Sequence, residues 1–203
     1  MRLLLRFAAA VVLSAMPVVA SDAIVLTHDS ADPVLTTGGK TYFYFHEAFR
    51  PSKVVTNAIG AATAQWRNDP EEWGQGARGF GKRYGSRLAV SASDDTIAYV
   101  VGLALHADPR YVVLRKGTNV ERIKFSVKHA FISRYDDGTE RFAYARISGA
   151  FGSAFLASTW YPKRISDPTH SLEYAMENVG SYVVRSLVHE FRPEINHFFH
   201  IKR

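Results

Sequence analysis

The sequence predicts a mainly α protein, a single helical bundle of close-packed helices with one small β-hairpin. Three observations carry that expectation. Small residues recur every four positions, at Ala77, Gly81, Gly85, Ala89 and Ser93 and again at Ala145, Gly149, Ser153 and Ala157, a glycine-zipper spacing that lets helix backbones approach closely. Asp-Pro pairs stand at Asp32-Pro33, Asp69-Pro70, Asp108-Pro109 and Asp167-Pro168, where Asp caps free amides and Pro presets the first helical φ. Between them lie apolar positions at helical spacing, in a 203-residue chain whose 47% hydrophobic content supplies a real core.

Taken in order, residues 1–20 read as a signal peptide. Arg2 and Arg6 precede an apolar run, and Val18-Val19-Ala20 ends in the small residue a signal peptidase needs. Residues 21–39 form an N-terminal arm or linker, with a short β-like run at Ile24-Val25-Leu26 before a stretch rich in turn-forming residues. The helical domain spans residues 40–203. Tyr42, Phe43, Phe45 and Phe49 fit one helix, and Pro51 opens another over 52–66. Asp69-Pro70-Glu71-Glu72 starts a helix running to about residue 91, with its acids at the positive end of the macrodipole. Phe80, Tyr84 and Leu88 mark one face of it, and Arg78, Lys82, Arg83 and Arg87 spread over the rest.

Ser93-Asp94-Asp95 then caps a short helix over 96–105, well below the ~20 residues that a bilayer demands. Residues 111–114 are β-prone, and Thr118-Asn119-Val120-Glu121 is a capping box for a helix to about residue 131. Asp136-Asp137-Gly138 turns a hairpin between 132–135 and 141–144. Over 147–160 no face is charged, the mark of a bundle centre or of lipid contact. The last helix, 168–191, has Leu172, Met176, Val179, Val183 and Leu187 as its core stripe and Pro193 as its stop.

Composition narrows function by exclusion. Without cysteine there is no disulfide framework, no lipidated cysteine and no thiolate metal site. The 25 Lys and Arg outnumber the 19 Asp and Glu, a mild positive charge that suits anionic lipid or cell-wall polymer. Export argues against nucleic acid. Gly74-Gln75-Gly76-Ala77-Arg78-Gly79 matches a dinucleotide pattern, but that chemistry needs a strand feeding the glycine turn, and a helix start precedes these glycines. His189, Glu190, His197 and His200 form the densest group of metal-ligating types, without a standard ligand spacing. Neither metal nor cofactor is expected.

His106-Ala107-Asp108-Pro109-Arg110 sets a base, a carboxylate and a guanidinium side by side at a helix exit, a set that a hydrolase-like enzyme could use. The competing account makes His106 a helix-end cation and Asp108 a turn residue. Glu71-Glu72, Asp94-Asp95 and Asp136-Asp137 fall at turns or helix starts and carry no catalytic signal, and no Gly-x-Ser-x-Gly elbow exists. Trp160-Tyr161-Pro162-Lys163-Arg164 runs aromatics into cations, an order found at membrane interfaces.

Trp73-Gly74-Gln75-Gly76, Gly79-Phe80-Gly81-Lys82-Arg83-Tyr84, His106 with Asp108-Pro109-Arg110-Tyr111, and Gly149-Ala150-Phe151 followed by Trp160-Tyr161-Pro162 together resemble a family of uncharacterised exported bacterial proteins, over about residues 40–191. The resemblance implies no activity. The sequence thus leads to an exported periplasmic or envelope protein, non-enzymatic and helical, associated with a membrane through anionic lipid or with an envelope protein. The alternatives are a hydrolase-like enzyme using His106, Asp108 and Arg110, and a periplasmic binding module that holds an anionic ligand on Arg78, Lys82, Arg83 and Arg87.

Overall fold

In the computed structural model, residues 25–28 and 33–198 are described, and the expected signal peptide lies outside them. The described chain is mainly helical. Val25–Thr27 (β1) pairs in parallel with Tyr111–Val113 (β2), and this pairing buries Leu26 completely. That part of the expected loose arm is therefore docked. Thr36 Oγ1 accepts from the Gly39 amide at 3.1 Å and opens α1 (Thr37–Ala48), while Pro51 starts α2 (Pro51–Trp66).

A single 29-residue helix, α3 (Gly76–Ala104), replaces the two helices expected over this stretch. Ser93, Asp94 and Asp95 do not cap it. Ser93 Oγ folds back onto the Ala89 carbonyl at 2.8 Å, and the Asp94 carboxylate accepts from Tyr182 instead of from the amides ahead of it. The Thr118–Glu121 capping box opens α4 (Asn119–Phe131) as the sequence dictates. The hairpin of Ile132–Arg134 (β3) and Glu140–Phe142 (β4) follows, in antiparallel register. Next come α5 (Tyr144–Ala157) and α6 (Pro168–Glu190), the latter capped by Asp167, which accepts from the amides of Thr169 and His170. Pro193 does not end the helical chain. It sits in the first turn of α7 (Arg192–Phe198), where its missing N–H is not needed.

The two small-residue ladders behave differently. On α5, Gly149, Ser153, Ala154 and Ala157 are buried, and α5 makes its most extensive contact with α3. A Cβ on Gly149 would stand 2.7 Å from the Asp94 carbonyl, and one on Gly152 2.7 Å from Ile97 Cδ1. On α3, Ala77, Gly81, Gly85 and Ala89 face outward, and a Cβ on Gly81 or Gly85 would meet nothing within 4 Å. The packing expected of that ladder is thus absent, and the tight glycine of the helix is Gly79, set against the Gly74 carbonyl.

On α6 the buried face is Ser171, Ala175, Val179, Tyr182, Ser186 and His189, whereas Leu172 and Met176 of the expected stripe are exposed. The inward face thus mixes small side chains with Val179, Tyr182 and His189 and leaves out two large residues of the expected stripe. The core centres on Ala150, Val179 and Tyr182, with Phe131, Ile147 and Phe151 packed against them. Among the described residues, no helix is long and apolar enough to cross a membrane.

Candidate functional site

Tyr182, Arg185 and His189 lie three and four residues apart on α6, hence on one helix face, and that face closes one wall of a cavity of about 130 Å³. From α3, Asp94, Ala98 and Gly102 line the opposite side at the same helical spacing, and α1 and α2 contribute Tyr44 and Lys53. A second cavity of about 100 Å³, lined by Thr56, Asn57, Ser91 and Ser181, shares Lys53 and Arg185 with the first. Arg185 thus stands between two spaces.

Most of the charged groups here are paired. Tyr182 donates to Asp94 Oδ1 at 2.6 Å, Lys53 pairs with Asp95, Arg50 donates to Glu47 at 2.8 Å, and Lys40 holds Asp136 by two bonds of 2.7 and 2.8 Å. Arg185 is the exception. Among the described residues it has no hydrogen bond or ion pair, and its guanidinium carbon lies 5.6 Å from the centre of the Tyr182 ring. It is nonetheless held inside the bundle, half-buried between the two cavities. Burial works against its charge, but Tyr111, Tyr182, Asp94 and Asp95 outweigh that and raise its pKa above the ordinary value.

The neighbouring titrations follow from the same enclosure. Burial pushes Asp94 up to about 6, with the Tyr182 hydrogen bond opposing and Asp95 adding to the rise. Burial, reinforced by Arg185 and Arg50, pulls His189 down to about 3, so its ring is neutral, and its Nδ1 has no hydrogen-bond partner among the described residues. Burial, followed by the charge of Asp94, raises Tyr182 well above the usual phenol range. Perturbed groups converging on one cavity mark a candidate site.

The residues singled out from sequence fall elsewhere. Arg83 is buried and spends its donors on backbone and amide oxygens, and Arg87 is half-buried against Gly60. Of the expected basic face, Arg78 and Lys82 stand exposed. His106 adopts φ +57° with a 79% exposed side chain and points at Asp136, 3.6 Å away, not at Asp108. Asp108 and Arg110 close on each other through bonds of 2.6 and 2.9 Å. The three residues do not assemble as a base beside a carboxylate and a free cation, although Asp108 does border the cavity.

In the C-terminal group, Glu190 accepts from the amides of Leu114 and Arg115 at 2.7 Å each and from Arg122 Nε at 2.8 Å, while His189 borders the cavity. His197 is exposed, and His200 lies outside the described residues. His28, just past β1, His129 of α4 and Glu140 of β4 form a separate group able to hold a metal ion, away from the cavity walls. Sequence reasoning missed Asp94, Asp95, Tyr182, Arg185 and His189 as site residues. The spacing of the last three on one face was the available signal, but Arg185 and His189 also fit as cations at a helix C-terminus.

No family model matches the chain, and neither a curated protein nor a solved structure is significantly similar to it.

Proposed function

We propose that the chain is an exported binding module of the cell envelope that takes a small anion, a carboxylate or a phosphate, on Arg185. The observation that carries this reading is the enclosed guanidinium without a hydrogen-bond partner among the described residues. Its N–H donors form a planar fork that matches carboxylate and phosphate oxygens. A buried cation without a direct hydrogen-bonded partner is costly, and a bound anion offsets that cost. The cavity of about 130 Å³ is close to the ~150 Å³ that holds a benzene ring, so the ligand has few heavy atoms.

Charge around the site gives the binding a direction with pH. Lys53 and Arg50 are already paired with Asp95 and Glu47, and His189 is neutral, so Asp94 is the group whose charge changes near physiological pH. Below about 6 it is protonated and leaves Arg185 to the ligand; above, its carboxylate repels the incoming anion. Affinity therefore rises as pH falls through that value. Calorimetric titration with phosphate, acetate and succinate at pH 5 and 7.5, on the wild type and on Arg185→Gln, tests the reading. At least one anion should saturate at one equivalent, more tightly at pH 5, and weaken tenfold or more in the variant. Absence of saturable binding, or binding unchanged by the substitution, overturns it.

A second reading, association with a membrane surface, is favoured by the aromatic side chains of α1 and its C-cap Phe49. Tyr42, Phe45 and Phe49 are all more than half exposed, with Phe45 and Phe49 stacked 6.3 Å apart, and Trp66 at the end of α2 is a further exposed ring. A Phe45→Ser, Phe49→Ser double variant should then sediment less with anionic vesicles than the wild type. Equal pelleting removes this reading.

A further inference from the structure

His28, at the end of β1, is anchored by its amide, which donates to the Val113 carbonyl at 2.9 Å. His129 lies in the last turn of α4, and Glu140 begins β4. One ligand atom from each comes within 4.8 Å of the others. Glu140 Oε1 is 3.0 Å from His129 Nε2 and 3.8 Å from His28 Nδ1. Zinc bonds in a tetrahedral site separate neighbouring ligand atoms by about 3.3 Å, between these two distances.

The tautomer of His129 supplies the stronger argument. Its Nδ1 lies 3.0 Å from the Phe125 carbonyl, which can only accept, so Nδ1 carries a proton. Nε2 then faces the Glu140 carboxylate at 3.0 Å, where a positive species between the two holds them together, either a second ring proton or a metal ion. Donation of the second ring N–H to a backbone carbonyl is the usual way a protein orients a metal-binding histidine. The Phe125 ring stacks on His129 at 3.8 Å and holds its plane. Lys128 stands 3.6 Å from Glu140 Oε2, which leaves Oε1 to face the two histidines.

We propose that His28 Nδ1, His129 Nε2 and Glu140 Oε1 bind one divalent transition ion of the Zn²⁺ class, with its fourth position taken by water. His28 and Glu140 keep 46% and 31% of their side-chain surface accessible, so that position opens to solvent. The ion ties the β1 arm to α4 and to the hairpin. This site shares no residue with the Arg185 cavity and stands or falls independently of the anion proposal.

The test uses the full chain with Zn²⁺ by calorimetry and Co²⁺ by its visible absorption. The wild type should bind one equivalent, and the Co²⁺ form should absorb as a low-coordinate nitrogen and oxygen site. Because His129 is buried, the variants are His28→Ala and Glu140→Gln, whose side chains are partly exposed, with folding checked by thermal melt. Each should weaken Zn²⁺ at least tenfold, as the loss of even an outer-shell partner costs ~10–100-fold, while Arg185→Gln should bind metal as the wild type does. No saturable binding by the wild type, or wild-type affinity in His28→Ala, overturns the proposal and leaves His129 and Glu140 as a plain ion pair.

Discussion

Arg83 is fully buried and Arg185 half-buried between two cavities, and the chain treats the two cations in opposite ways. Arg83, on α3, donates to the carbonyls of Asp69 at 3.0 Å, Gly74 at 2.6 Å and Pro70 at 2.6 Å, and to Gln65 Oε1 at 2.6 Å. Every acceptor belongs to the connection between α2 and α3 or to the end of α2, so the guanidinium clamps that turn. Arg185 faces two cavities and, among the described residues, donates no hydrogen bond. Burial of a charge therefore does not mark a site; donor capacity left over does. By that criterion Arg122 and Arg146 belong with Arg83. Arg122 is bonded to Glu190 and its carbonyl, and Arg146 to the carbonyls of His129 and Ala130 and to Ser133.

The largest expected effect comes from removing the saturated cation. Arg83→Met leaves four acceptors without their donor, and at ~1–3 kcal/mol for each orphaned group, with partial relaxation, the loss should be about 3–5 kcal/mol. Arg185→Met removes a charge that has no ion pair among the described residues and should be neutral or stabilising, as replacement of buried ionic groups by packed apolar ones often is. Urea melts of the two variants compare them directly. Equal losses break the distinction.

Asp94→Asn sharpens the comparison by titration. In the folded protein the Asp94 pKa is raised from 3.8 to about 6, so the folded state binds the proton more tightly than the unfolded one, and stability falls as pH rises through that interval. Asparagine has no such penalty. At pH 7.5 the variant should be more stable than the wild type by roughly 2–3 kcal/mol, from a shift of about two pKa units at 1.36 kcal/mol each. The advantage should shrink toward pH 4. Melts over that range showing a constant difference contradict the account.

The smallest effects come from the two ladders. Gly149→Ala forces a methyl onto Asp94 and should cost about 1–3 kcal/mol through overpacking. Gly81→Ala meets open space and should gain about 0.5–1 kcal/mol from helix propensity. Thermal melts in which both variants move the same way would show that the ladders are equivalent.

Features written in local chemistry were legible in the sequence. The capping box at Thr118 and Glu121, the start of α6 at Asp167-Pro168 and the hairpin around Asp136-Asp137-Gly138 each depend on neighbours along the chain. What depended on distant partners was not. Gly81 and Gly85 permit a close approach without saying on which side the bundle lies, and the outward turn of Leu172 and Met176 follows from how α5 seats on α6. Asp94-Asp95 looks like a cap until Tyr182, 88 positions away, takes the carboxylate. Val25 and Tyr111 each looked β-prone, but their pairing joins segments that no local pattern connects. The site was the least legible part, because an unsatisfied arginine is defined by the absence of partners that only the fold could have supplied.

The most direct test of that central claim is the nitrogen–proton NMR spectrum of the arginine Nε–H groups during a phosphate or succinate titration. Arg83→Lys and Arg185→Lys assign the two signals by their loss, and both should be protected from exchange, since both groups are enclosed. The account predicts that the anion shifts the Arg185 signal to saturation and leaves the Arg83 signal in place, because one fork has donors to give and the other has none. An Arg185 signal that never moves, or two signals that move together, would contradict it.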